Sequence, residues 1–382
     1  MTIPFNRPVA MGNEQRYIAD AIARGRISGD GHYTKLVNRR IEELTGGGRA
    51  LMTTSCTHAL EMAALLLGVG PGDEVVMPSF TFVSTANAFV LRGAKPVFAE
   101  IRADTLNLDE RALEAAITPR TRAVVVVHYA GVACEMDAIG AIAKRNGIAV
   151  VEDNAHGLFG AYRGRPLGSF GTLATQSFHE TKNVMCGEGG ALVINDESLV
   201  GRAEIVREKG TNRARFFRGL VDKYSWVEPG SSYLPSEILA AFLHAQLEAA
   251  DEIQRRRTAI WERYHGELRD WAAESGVRQP VVPAECAHPA HLYYLLLPSA
   301  EARDALIAHL REHEIGAVFH YVPLHESEYG ATLGYRRGQL PVTERASERL
   351  IRLPLYNDMS PEDQERVIAA VRRFSPERSA VA

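Results

Sequence analysis

Short apolar segments alternate with segments of helical period through the first half of the chain. The apolar runs fall at residues 49–54, 74–77, 96–101, 122–128, 148–152, 173–178 and 191–194. Between them, 57–67, 79–91, 109–117 and 136–146 repeat their apolar positions every three to four residues behind polar caps. Strands that alternate with helices need crossover connections, so the pattern predicts an α/β unit around a largely parallel, buried sheet.

Beyond Pro235 the pattern changes. Residues 236–268 read as one long helix whose polar face becomes strongly charged, leading out of the sheet-bearing part. A strand at 291–297, a helix at 300–314, a strand near 317–321 and helices at 343–352 and 361–374 follow. The expected division is a large α/β domain, 1–248, and a small C-terminal α+β domain, 249–382. Residues 212–232 are the least regular stretch, and long irregular loops often carry function.

Composition narrows the function classes more than the fold. A chain of 382 residues, 46% hydrophobic and 24% charged, has the length for two domains and the make-up of an ordinary globular protein. Its 43 basic and 47 acidic residues are interspersed, apart from Arg255-Arg256-Arg257, which argues against a nucleic-acid-binding surface. Cys56, Cys134, Cys186 and Cys286 lie far apart, so neither a metal site nor a disulfide framework is expected. The start, MTIPFNRP, lacks a basic stretch followed by an apolar one, and no apolar run approaches the ~20 residues of a membrane span. A cytoplasmic location is expected.

Three polar clusters sit where ligands bind in such sheets, at the carboxyl ends of strands. The strand at 148–152 runs into Asp153-Asn154-Ala155-His156, a carboxylate and an imidazole; alone, such an aspartate serves equally as a loop anchor. Ser177-Phe178-His179-Glu180-Thr181-Lys182-Asn183, followed by Gly187-Glu188-Gly189-Gly190, places a lysine in a glycine-rich turn between strands. An amine there can condense with an aldehyde cofactor whose ring takes up substrate electrons, and a nearby anion such as Asp153 keeps the ring nitrogen protonated. The turn Thr53-Thr54-Ser55-Cys56-Thr57-His58 opens a helix, a place that favours a phosphate or simply caps itself. Ser177 adds a hydroxyl, and Phe82 has the shape to stack on a planar ring or to fill core.

With these clusters stand Ser28-Gly29-Asp30-Gly31, Pro78-Ser79-Phe80-Thr81-Phe82-Val83-Ser84-Thr85 and Val127-His128-Tyr129-Ala130-Gly131. Together they resemble the DegT/DnrJ/EryC1/StrS family of sugar aminotransferases over nearly the whole chain. The resemblance implies the fold-type-I, aspartate-aminotransferase-like architecture and pyridoxal 5'-phosphate as cofactor. It implies Lys182 as the lysine that holds the cofactor and moves protons, Asp153 on the pyridine nitrogen, and Phe82 on the ring face. It also implies Cys56, Thr57 and Ser177 at the phosphate and His156 near the ring hydroxyl. Members are homodimers with shared sites, and the arm that reaches the partner's phosphate maps to residues 230–234, with Ser232.

Phe178 to Asn183, Arg207-Glu208-Lys209-Gly210-Thr211-Asn212-Arg213 and Gly230-Ser231-Ser232-Tyr233-Leu234 resemble those members that aminate C4 of a dTDP-4-keto-6-deoxyhexose with L-glutamate, in polysaccharide biosynthesis. Ser28, Arg213, Arg215, His320, Tyr321 and His325 are then the acceptor-site candidates. The chain departs from the wider family at Ser232 and Leu234, where asparagine and arginine are common, and leucine cannot replace a guanidinium. His156 stands where many members have glutamine, a change that keeps a hydrogen bond to the ring oxygen possible. Amination at C3, the gluco epimer and a non-catalytic cofactor-binding regulator are the competing readings; the last calls for an attached DNA-binding unit, and no helix-turn-helix extension is visible.

Overall fold

In a computed structural model, which describes residues 2–376, the first half builds one sheet. Its strands are β1 (Arg49–Thr53), β2 (Glu74–Pro78), β3 (Lys95–Ala99), β4 (Thr121–Val127) and β5 (Ala149–Asp153). After the two-residue β6 (Ala161–Tyr162) and β7 (Arg165–Pro166) come β8 (Leu173–Ser177) and β9 (Gly190–Ile194). The order across the sheet is β1-β9-β8-β5-β4-β2-β3, and every pairing is parallel except the two that β9 makes.

The apolar runs read as they do because both faces are covered. Val75, Met77, Val125 and Val151 pack on one side with the helix Cys56–Leu66, while Val76, Val124, Val126 and Val150 pack on the other with Met136–Asn146. Successive strand residues point to opposite faces, so only an uninterrupted apolar run satisfies both. Two helices precede the sheet, Glu14–Ala23 and His32–Leu44, which the sequence pattern did not announce.

Four expectations need correction. The helix expected at 236–268 is two, Glu237–Glu248 and Ala250–Glu267, meeting at Ala249. The first gives Leu243 and Leu247 to the sheet-side core; the second adds Ile253 there and then gives Ile260, Trp261 and Tyr264 to a separate one. The helix expected at 79–91 is confined to Val83–Val90, with Phe82 in extended backbone as its cap. The helix expected at 343–352 begins at Pro341, where proline's missing N–H costs nothing, and ends at Arg349. Its last residues instead form a strand, Leu350–Leu353, antiparallel to Tyr293–Leu296. The strand expected near 317–321 reduces to a single bridge between Val318 and Arg352.

The second core gathers Tyr264, Leu295, Leu306, Leu310, Ile351 and Val367, and it takes in Ile3 from the other end of the chain. Ile3 N–H donates to Glu314 O at 2.8 Å and Gly316 N–H donates to Ile3 O at 2.8 Å. Among the described residues no helix is long and apolar enough to cross a membrane.

Candidate active site

The carboxyl ends of β5 and β8 open into a cavity of about 450 Å³, a size suited to a cofactor with part of its substrate. Asp153 ends β5 and is buried. Thr85 Oγ1 donates to its Oδ2 at 2.7 Å, and Ala155 N–H donates to Oδ1 at 3.3 Å. Burial pushes the Asp153 carboxyl above its usual range, and the Thr85 hydrogen bond opposes that shift.

Lys182 sits in the return between β8 and β9. That return is closed by backbone bonds from Phe178 N–H to Gly189 O (2.8 Å), Glu180 N–H to Gly187 O (2.9 Å) and Lys182 N–H to His179 O (2.9 Å). Gly187 has φ +83°, a conformation that side-chain-bearing residues rarely adopt. Burial lowers the Lys182 ammonium to about 8, against the pull of Cys56 and Asp153. The cavity therefore holds an amine that is readily deprotonated beside an acid that resists ionisation, each favouring its neutral form for want of water.

Opposite this pair, the first turns of two helices converge. Ser55 caps Cys56–Leu66 by accepting from His58 N–H at 3.1 Å, which leaves the Cys56 and Thr57 amides without helical acceptors. Thr57 Oγ1 lies 2.7 Å from Ser84 Oγ in the first turn of Val83–Val90, tying the two starts together. A Cβ on Gly190 would lie 2.3 Å from Ser55 C and 2.4 Å from Cys56 N, so only glycine lets β9 pass so close to this turn. Such a paired helix start is an anion cradle.

His156 is buried with its Nδ1 unpartnered, and its ring stacks on His291 at 4.3 Å between centroids. Burial holds both imidazoles, and that of His320, well below the usual histidine range. His320 Nδ1 is 3.0 Å from Tyr129 Oη. A buried neutral imidazole with an idle ring nitrogen, an amine–acid pair and an anion cradle fit a phosphorylated aldehyde ring such as pyridoxal phosphate.

Of the residues singled out from sequence, Cys56, Thr57, Phe82, Asp153, His156, Ser177, Lys182, His320 and Tyr321 line this one cavity. The others do not. Ser28 and Ser232 are exposed outside it, Ser232 in a bridge with Glu208. Arg213 pairs with Glu208 at 3.3 Å, and Arg215 lines a separate hollow with Glu204 and Arg218, so within one chain neither guanidinium reaches the cavity. His325 is a correction of another kind. Its Nδ1 is 2.8 Å from Ser79 Oγ and its Nε2 3.0 Å from Glu344, so both ring nitrogens are engaged in pinning the C-terminal unit to the strand end.

The sequence reading missed Arg352, His291, Thr85 and Ser84, all at or beside the cavity. Arg352 had a signal, a lone cation inside the apolar strand Leu350–Leu353. His291 had none, because it reaches the cavity only through tertiary packing.

Comparison with known proteins gives the same picture. The model of the DegT/DnrJ/EryC1/StrS aminotransferase family matches residues 9–372. The spore coat polysaccharide biosynthesis protein SpsC of Bacillus subtilis (strain 168) is 36% identical over 379 residues, 97% of this chain and 96% of that protein. Among solved structures, the aminotransferase TlmJ from Streptoalloteichus hindustanus superposes with a TM-score of 0.90 at 32% identity, covering 100% of both chains. The putative sugar aminotransferase Spr1654 from Streptococcus pneumoniae, in its PMP form, superposes with a TM-score of 0.92 at 27% identity, over 100% of this chain and 99% of that one; its PLP form also matches.

Proposed function

Because the chain belongs to the DegT/DnrJ/EryC1/StrS aminotransferase family, we propose that it moves an amino group from L-glutamate to C4 of a dTDP-4-keto-6-deoxyhexose, giving dTDP-4-amino-4,6-dideoxygalactose. The cofactor is pyridoxal 5'-phosphate. The observation that carries the reading is the Lys182 amine, brought down to about 8, lining one cavity with the buried Asp153 carboxyl and two converging helix starts.

When bound, the cofactor supplies an aldehyde that captures amines and a ring that draws off the electron pair left on the substrate carbon. Lys182 Nζ holds it and then, once released, carries the proton to and from that carbon. Asp153, oriented by Thr85, keeps a proton on the ring nitrogen. The Cys56 and Thr57 amides and the Thr57 and Ser177 hydroxyls hold the phosphate, Phe82 covers a ring face, and the idle nitrogen of His156 serves the ring oxygen. His320 and Tyr321 face the sugar.

The reading includes a homodimer with shared sites. Phe82 is 58% exposed and Trp226 77% exposed, a degree of apolar exposure that a second copy would relieve. Ser232, with Ser28, Arg213 and Arg215, would enter the site from that copy. The division into 1–248 and 249–382 belongs to the same proposal, supported by the break at Ala249. The similarity to SpsC supports a role in polysaccharide biosynthesis.

The test is to incubate the purified protein with L-glutamate and dTDP-4-keto-6-deoxyglucose and to read the product's ring couplings by NMR. A 4-amino sugar with an axial nitrogen is expected. An equatorial C4 nitrogen, amination at C3, or no amino sugar at all would overturn the assignment.

A further inference from the structure

The residue after Lys182 is clamped by three separate segments. Asn183 is buried; its Nδ2 donates to Pro289 O (2.7 Å) and Gln254 Oε1 (2.9 Å), its Oδ1 lies 2.9 Å from His291 Nδ1, and its carbonyl accepts from Asn357 Nδ2 (3.2 Å). Arg257 fastens the far side, its Nη1 donating to Asn357 Oδ1 (3.0 Å), its Nε to Ala290 O (3.1 Å) and its Nη2 to His291 O (2.5 Å). Turning the Asn183 amide over would set its oxygen against Pro289 O, and a carbonyl cannot donate. Oδ1 therefore faces His291, and because an amide oxygen only accepts, Nδ1 carries the proton of that ring. Nε2 is left bare.

A carboxylate in place of the amide would hold His291 as an imidazolium. The neutral amide does not, and His156, Lys182, Arg257 and Arg352 around the ring all disfavour its protonation. The ring is also a platform. His156 lies on it with centroids 4.3 Å and planes 26° apart, while its other ring neighbours, Tyr129 and His320, are 6.0 and 6.1 Å away. Among the described residues no hydrogen bond holds the His156 ring, whose Nδ1 is buried and unpartnered, so its plane is set by the ring it rests on. Resting on the proposed aminotransferase reading, we infer that Asn183 and His291 are positioning residues that act through His156: Asn183 fixes His291 in its Nδ1–H form, and the His291 ring fixes the plane in which the His156 nitrogen meets the cofactor's ring oxygen. A hydrogen bond weakens steeply with angle, so a ring free to tilt gives up that contact. A donor on the oxygen draws off negative charge and lowers the pH at which the bound cofactor gives up its proton, which its visible absorbance reports.

The experiment has one part without cofactor and one with it. In the cofactor-free protein, isotope-labelled at histidine, long-range proton–nitrogen NMR should show His291 with a protonated Nδ1 and a bare Nε2, and Asn183→Asp should turn the same ring into an imidazolium near neutral pH. In the loaded protein the pH midpoint of the visible absorbance is measured. His156→Ala should raise it by about one unit, the size expected for one charge-assisted hydrogen bond. His291→Ala should raise it as much and the double variant no further, while His291→Phe, which keeps a flat platform, should stay near the wild-type midpoint. A proton on Nε2 in place of Nδ1 overturns the inference, as does a midpoint that His291→Ala leaves in place, or shifts that add in the double variant. A wild-type protein that takes up cofactor without any visible band that moves with pH would instead sink the aminotransferase reading itself, and this inference with it.

Discussion

The two walls of the cavity are built on different principles. The wall from the sheet is pinned: Asp153 is held by Thr85 and a backbone amide, and the Lys182 return is closed by its own backbone bonds. The wall from the C-terminal unit is layered instead: the rings of His291, His320 and Tyr321 pack on neighbouring rings, single side-chain hydrogen bonds tie His291 to Asn183 (2.9 Å) and His320 to Tyr129 (3.0 Å), and Arg352 projects from the strand Leu350–Leu353. Reacting atoms need geometry fixed within fractions of an ångström, whereas a surface that greets two successive substrates gains from groups with unfilled hydrogen-bonding capacity. The contrast teaches that rigidity here follows the chemistry and openness follows recognition.

The hardest blow to that contrast is Lys182→Ala. It should lower amino transfer by about 10⁴-fold while the circular dichroism and melting temperature stay close to wild type. A variant that transaminates at the normal rate would remove the lysine from the chemistry. Next comes pH. Because burial brings the Lys182 amine down to about 8, the neutral, reactive form fills in as pH rises toward that value. Capture of added cofactor by the cofactor-free protein should therefore speed up about tenfold per pH unit below about 8 and level off above it. A rate that goes on rising about tenfold per unit well past pH 8 would show an ordinary, solvated lysine, whose ammonium titrates at ~10.4.

Thr85→Val tests the pinning itself. Losing the hydroxyl that donates to Asp153 should cost about tenfold in turnover, with little change in the nucleotide-sugar's KM, since the acid loses both orientation and stabilisation of its charge. The smallest effect is expected on the layered wall: His320→Ala should raise the acceptor's KM by about threefold and spare the glutamate stage. Equal damage to both stages would mean that the two walls are not separable.

Legibility divides along the same line. Asp153, Lys182 and Thr57 stand out in the sequence because a strand end, a glycine-rich turn and a helix start each leave a local signature, and the alternation of runs gave away the parallel sheet. The layered wall has no such signature. His291 and Arg352 meet the cavity only because Tyr293–Leu296 pairs with Leu350–Leu353, an association across more than fifty residues. His325 misled for a related reason: its family-like neighbourhood is real, yet its ring faces Ser79 and Glu344. Pro341 and the apolar Leu350 and Ile351 show why a helical period overran its end, since four residues of strand at the foot of a helix look like one more turn.

The tie between Ile3 and residues 314–316 sets an order of events during synthesis. The first residues leave the ribosome with no partner, and Phe5 and Asn6, which line the cavity, follow directly behind Ile3. A Cβ on Gly316 would lie 2.8 Å from Phe5 N, so this late glycine receives the early segment almost backbone to backbone. Until some three hundred further residues have been translated, the chamber has no finished rim, and a nascent chain cannot close it around a ligand, however complete its sheet.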